Sequence, residues 1–153
     1  MPTTKFVISI RNPLAIAASI YRVRNRQRQQ GKRSFLTPMD FGDIVEYIER
    51  LCDVIIGMRE SKNICLVQYE GLIGRVPAVL AGLSHFLGVK VSLDLDDDSA
   101  AYNPDHAFWT PESGTTIKLS SLDKYKTELT PEERALAAVK FARFNAMFGY
   151  VDV

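Results

Sequence analysis

Histidine and cysteine are scarce in this chain, and each scarcity removes a class of function. Two histidines, His85 and His106, stand among 153 residues, too few for a histidine-built metal centre. The two cysteines, Cys52 and Cys65, have neither C-x-x-C nor metal-ligand spacing. They read as reduced, buried apolar residues of a cytoplasmic protein, and no metal is expected. No apolar run approaches the ~20 residues that a membrane-spanning helix needs. No charged leader precedes an apolar stretch, so no signal peptide or transmembrane segment is expected. An excess of charge of one sign is lacking too. The net charge is +1, so an anion site, if there is one, must be local.

What is present fits one globular α/β domain over residues 1–153, with a long irregular loop region at 91–128. Lys5 to Ile10 is a short strand rich in β-branched residues. Asn12-Pro13 then supplies an N-cap and a first helical position, and the helix should run to about Gln30, with Gly31 past its end. Thr37-Pro38-Met39-Asp40 is a second helix start, with an acid at the capping-box position. Phe41, Ile44, Val45, Ile48, Leu51, Cys52 and Ile55 recur behind it at helical spacing. Asn63 to Tyr69 is a second strand, apolar without alternation, as in a parallel sheet covered on both faces. A helix from Val76 to Leu87 stops at Gly88, and a last one, capped by Thr130, ends near Gly149. Two strands are too few for a stable sheet, so part of the sheet is expected to be missing.

"ISIRNPLAIAASIY", residues 8–21, places Arg11 at the exit of an apolar strand, where a charge is costly to desolvate. Ligands of open α/β sheets bind beyond the carboxyl ends of the strands. The helix after Arg11 points its N-terminal N–H groups the same way, which favours an anion. Arg11 can fork onto phosphate oxygens. Ser19 lies seven residues past Asn12, on about the same face, and can share one phosphate with it. The other reading pairs Arg11 with a carboxylate and bonds Ser19 back to a helix carbonyl. The residues alone leave the two balanced.

Three stretches, in order, resemble the sulfotransferases that use 3′-phosphoadenosine 5′-phosphosulfate. "KFVISIRNPLAIAASIYR" is similar to their 3′-phosphate segment: a strand, R-[DN]-P, and a serine eight residues after the arginine. "NICLVQYEGLIGRVPAVLAGLSHFLGV" is similar to a later strand and helix with Y-E-[DG]-L. "LSSLDKYKTELTPEERALAAVKFARFNAMFGY" resembles the C-terminal segment. The resemblance implies a P-loop NTPase-like parallel sheet flanked by helices, and sulfuryl transfer to a hydroxyl or amine acceptor. It implies that Arg11 and Ser19 hold the nucleotide 3′-phosphate and that Tyr69 lies by the adenine. The alternative for Tyr69 is a strand-end tyrosine covering the core. Ser121, Lys124 and Lys126 fall in the segment that closes over the 3′-phosphate, but Asp123 and Tyr125 replace its usual Gly and Trp.

The family's 5′-phosphosulfate loop, P-K-[ST]-G-[ST]-[ST], is not found before Lys5, nor is an upstream catalytic base. The expectation is therefore a fold incomplete at the N-terminus, a fragment or truncated product, inactive alone, with the catalytic residues unknown. "PESGTT", residues 111–116, is a decoy. Glu112 stands in place of the lysine, and neither a strand before it nor a helix after it supports the motif. His85 and His106 read as surface residues.

Two further stretches suggest other functions. "RVRNRQRQQGKR", residues 22–33, holds six basic residues and no acid. It suits phosphate contacts to nucleic acid, an anionic glycan acceptor, or simply a solvated helix end. "DLDDDSAAYNPD", residues 94–105, has acids at calcium-loop spacing but Ser99 where the turn glycine belongs. Last, uncovered strand edges invite pairing, so a non-catalytic interaction module, an oligomer, or a separately encoded N-terminal partner is a standing alternative.

Overall fold

A computed structural model describes residues 4–92, 122–123 and 125–150. Two strands, β1 (Phe6–Ile10) and β2 (Ile64–Gln68), pair in parallel from Phe6↔Ile64 to Ile10↔Gln68. Between them come α1 (Pro13–Gln29) and α2 (Phe41–Met58). After β2 come a short α3 (Tyr69–Gly74), α4 (Val76–Leu87), a single turn α5 (Tyr125–Glu128) and α6 (Pro131–Phe148). This is the mixed helix and strand architecture expected, with a small parallel sheet.

The core lies on one face of the sheet. Ile10, Leu14, Ala17, Ile44, Val45, Ile48, Ala137, Phe141 and Phe144 are buried there together, joining β1, α1, α2 and α6. Ile8 and Leu66 pack against the same cluster. Val67, the next residue of β2, turns to the other face, because side chains alternate along a strand. Of the apolar stripe expected on α2, Leu51 is 45% exposed, whereas burial of Phe41, Ile44, Val45, Ile48 and Cys52 follows from their spacing. Burying one such side chain contributes about 1.5–3 kcal/mol.

The opposite face is sparsely covered. α4 is strongly apolar, yet none of its residues is fully buried. On β1, Val7, which points to this face, is 45% exposed, and Phe6 at the start of the strand is 56% exposed. The expectation of strands covered on both faces therefore fails among the described residues: of β2, only Val67 is buried.

Helix ends follow local chemistry. Asn12 caps α1 by accepting from the Leu14 N–H, and Pro13 takes the first position. Gly88 and Gly149, at φ 77° and 71°, end α4 and α6 in the left-handed conformation that glycine adopts without steric cost. The start of α2 differs from the sequence expectation. Asp40 is the N-cap, and Asp43 closes the capping box. Thr37 is drawn into the preceding turn, where its hydroxyl accepts from the Ser34 N–H at 2.9 Å. β2 ends earlier than expected, at Gln68, and Tyr69 opens α3. Among the described residues, no helix is long and apolar enough to cross a membrane.

Candidate functional site

The two strands end side by side, and the residues that follow them meet in turn. Ile10 faces Gln68. At the same offset, Arg11 meets Tyr69 and Asn12 meets Glu70. The Arg11 guanidinium carbon lies 4.7 Å from the centroid of the Tyr69 ring, within cation–π range. The Asn12 N–H donates to Glu70 Oε1 at 2.9 Å.

Glu70 has a second partner. Its Oε2 accepts from the Tyr150 hydroxyl at 3.0 Å, and Tyr150 follows the glycine that ends α6. One carboxylate thus ties the exit of β1, the exit of β2 and the end of α6. Burial pushes the Tyr150 pKa far above its ordinary value, the Glu70 carboxylate adds to this, and Arg11 works in the opposite direction. The hydroxyl therefore stays a donor. Beside it, Gln68 Nε2 donates to the Phe148 carbonyl at 2.6 Å, a second link from the sheet to α6.

This arrangement alters the expected role of the α1 N-terminus. Sequence reasoning offered its N–H groups to an anion. Pro13 has none, Leu14 gives its own to Asn12 Oδ1 at 2.9 Å, and Glu70 already sets a carboxylate against Asn12. A carboxylate there meets the positive end of the helix dipole. Recognition of a further anion beside Arg11 is left mainly to side chains.

Of the residues expected to form a site, Arg11 and Tyr69 come together. Ser19 lies half-buried two turns along α1. Tyr69 is half-buried at the start of a helix, so it is not the strand-end residue that was expected. Lys126 is paired with Asp123 at 3.0 Å, and Tyr125 is buried in the core. Ser121, Lys124, His106, the 111–116 stretch and the calcium-like 94–105 stretch lie outside the described residues. His85 is exposed on α4.

The basic stretch is partly absorbed by the fold. Arg24 is 7% exposed, lies 5.5 Å from the Tyr21 ring centroid and donates to Asn25 Oδ1. Arg22 bridges to Glu128 at 3.3 Å. The arginines do not form one stripe, as their spacing on a helix implied.

A cleft of about 500 Å³ opens next to this corner, lined by Cys65, Leu66, Val67 and Gln68 of β2, by α4, and by Met147 and Phe148. Ile10, the last residue of β1, lines it as well, so the cleft reaches the carboxyl ends of both strands.

The model of the sulfotransferase domain matches residues 1–134. The chain belongs to the sulfotransferase domain family. The fold agrees with that of a solved structure described as "Sulfotransferase Domain from the Curacin Biosynthetic Pathway", with a TM-score of 0.65 at 19% identity. The match covers 96% of this chain and 54% of that one, so this chain spans about half the length of the solved domain. No curated protein matches it.

Within this member of the sulfotransferase domain family, sequence reasoning missed Glu70 and Tyr150 as site residues. Both stood in the family-like stretches, in "QYEGL" and "FGY". Their meeting is visible only once α6 is packed against the sheet.

Proposed function

We propose that this chain carries the 3′-phosphate half-site of a sulfotransferase that uses 3′-phosphoadenosine 5′-phosphosulfate. Arg11 and Ser19 bind the 3′-phosphate, and Tyr69 lies against the adenine. The observation that carries this reading is the Arg11–Tyr69 stack at the carboxyl ends of two parallel strands. A guanidinium within cation–π range of an aromatic ring is limited in where it can go, and its planar fork suits phosphate oxygens.

In the reaction, the bond from sulfur to the 5′-phosphate oxygen breaks. A new bond forms from sulfur to a hydroxyl or amine of the acceptor, and a base takes the acceptor's proton. No residue of this chain is assigned as that base, and donors for the leaving phosphate are required as well. The isolated chain is therefore read as inactive, and as the C-terminal part of a domain completed elsewhere. An anionic glycan acceptor suits the cations exposed at and just past the end of α1, Arg28, Lys32 and Arg33.

Calorimetric titration with adenosine 3′,5′-bisphosphate, with adenosine 5′-monophosphate as control, tests the reading. Saturable binding that needs both the 3′-phosphate and Arg11 is expected. A folded chain that binds both nucleotides equally, or neither, would count against it.

A second reading, a non-catalytic interaction module, is favoured by the cleft between the sheet and α4 and by the incompletely covered α4. Sedimentation over a range of concentrations tests it. A mass above that of one chain supports association through this face. A strict monomer with a single cooperative melt speaks for a self-sufficient domain.

A further inference from the structure

Two neighbouring contacts at the strand exits share one geometry. Arg11–Tyr69 and Asn12–Glu70 are adjacent pairs at one register offset. The first pair is a stack. The second is a 2.9 Å hydrogen bond from a backbone N–H, which depends on no rotamer of Asn12. The Glu70 carboxylate is fixed in turn by Tyr150. From this we infer that Glu70 is a positioning residue for the 3′-phosphate site, acting through Arg11 and anchored to the end of α6 by Tyr150. The inference rests on the half-site reading proposed above.

The physical case is one of leverage. β1 and β2 are only five residues each, and the ladder stops at Ile10 and Gln68. Beyond that point, the hydrogen bond from the Asn12 N–H to the Glu70 carboxylate holds the two chain exits together. Without it the Arg11 and Tyr69 backbones are free to separate, and the guanidinium loses the ring that orients it. A misplacement of about 1 Å is enough to spoil a bidentate contact. Glu70 touches no phosphate in this scheme. Its negative charge is balanced by the α1 dipole, the Tyr150 hydroxyl and the neighbouring Arg11.

The measurement is the ratio of affinities for two isomers of equal charge, adenosine 3′-monophosphate and adenosine 5′-monophosphate. Loss of stability alone lowers both affinities together, whereas misplacing Arg11 lowers only the first. Wild type should prefer the 3′-isomer. Glu70→Ala should reduce the preference about tenfold, and Glu70→Gln, whose amide oxygen still accepts from Asn12, should restore it to within about threefold of wild type. If Glu70→Ala does not fold, Tyr150→Phe carries the test, with a loss of about threefold expected from the freed carboxylate. A wild type without preference sinks the half-site reading and this inference with it. A wild-type preference that survives Glu70→Ala, or Tyr150→Phe where only that variant folds, overturns the inference alone. So does an equal fall in Glu70→Ala and Glu70→Gln.

Discussion

Arg11 lies over the ring of Tyr69, its guanidinium carbon 4.7 Å from the ring centroid, although 58 residues separate them in sequence. The parallel pairing of β1 with β2 brings them together at the offset that pairs Ile10 with Gln68. Each residue directly follows its strand, so the site needs no loop to assemble it. The ring limits where the guanidinium can go.

The stack should matter for binding more than for folding. Cation–π contacts at partly exposed sites contribute about 0.5–1 kcal/mol. Tyr69→Leu is expected to weaken binding of adenosine 3′,5′-bisphosphate severalfold with a small change in melting temperature. Arg11→Lys, which keeps the charge but loses the fork, should bind nearly as poorly as Arg11→Ala. Equal binding by Arg11→Lys and wild type would show that only charge is read.

Asn12 and Ser19 should separate stability from binding. Asn12 caps α1 through Leu14, and removing such a cap costs about 1 kcal/mol. Asn12→Ala should melt earlier yet keep most of its nucleotide affinity, since its backbone N–H still reaches Glu70. Ser19→Ala should do the opposite. It should leave the melt almost unchanged and weaken 3′-phosphate binding by about 1.5–3 kcal/mol, the range for hydrogen bonds to charged groups. Paired melting and calorimetry on the two variants would check the crossover.

The elements were legible where chemistry is local. The Asn12-Pro13 start, the Gly88 and Gly149 stops and the Thr130–Glu133 capping box all stand as their residue types imply. The start of α2 was misread because Thr37 and Asp40 are both competent caps. The choice between them fell to the turn at Ser34, which claims the Thr37 hydroxyl. The Arg11–Tyr69 meeting was implied only by resemblance, since no local pattern reports a strand register. Glu70 and Tyr150 were hidden for the same reason. Their contact spans 80 residues and depends on how α6 packs.

The corrected cap of α2 gives a stability prediction. Asp40 accepts from the Asp43 N–H at 2.9 Å, so Asp40→Ala should cost about 1 kcal/mol in chemical denaturation. Asp40→Asn should cost only a few tenths of that, because the amide oxygen still accepts. Indistinguishable losses in the two variants would mean that the negative charge at the helix start, rather than the cap bond, is what stabilises it.

The two cysteines should react at very different rates. Cys52 is buried in the core, and burial, with Asp53 and Glu49 adding to it, pushes its pKa from 9.0 up to about 12. The nucleophile is the thiolate, so Cys52 should resist a thiol reagent in the native state at mildly alkaline pH. Cys65 is half-buried and lines the cleft. One thiol should therefore be modified in the native chain and the second only on unfolding. Mass mapping of the first adduct to Cys52 would contradict the packing of α2.

Alkaline stability should depend on Tyr150. Its folded pKa is raised above the ordinary value of 10.0, first by burial and then by Glu70. Above about pH 10 the unfolded chain releases this proton while the folded chain keeps it, so the unfolded state binds fewer protons and stability falls as pH rises. The stabilisation is fully present below that pH and is lost as pH climbs towards the folded value. Tyr150→Phe has no proton to lose. It should be less stable than wild type near neutrality, because the Glu70 carboxylate loses a donor, at a cost of about 1.5–3 kcal/mol. The gap between the two melting temperatures should then narrow as pH is raised above about 10. Thermal melts of both proteins over that range supply the comparison, and the other tyrosines and lysines cancel in the difference. A gap that stays constant would mean that the Tyr150 hydroxyl is not held by Glu70 in solution. The link from α6 to the Arg11–Tyr69 corner would then have to run through Gln68 and Phe148 alone.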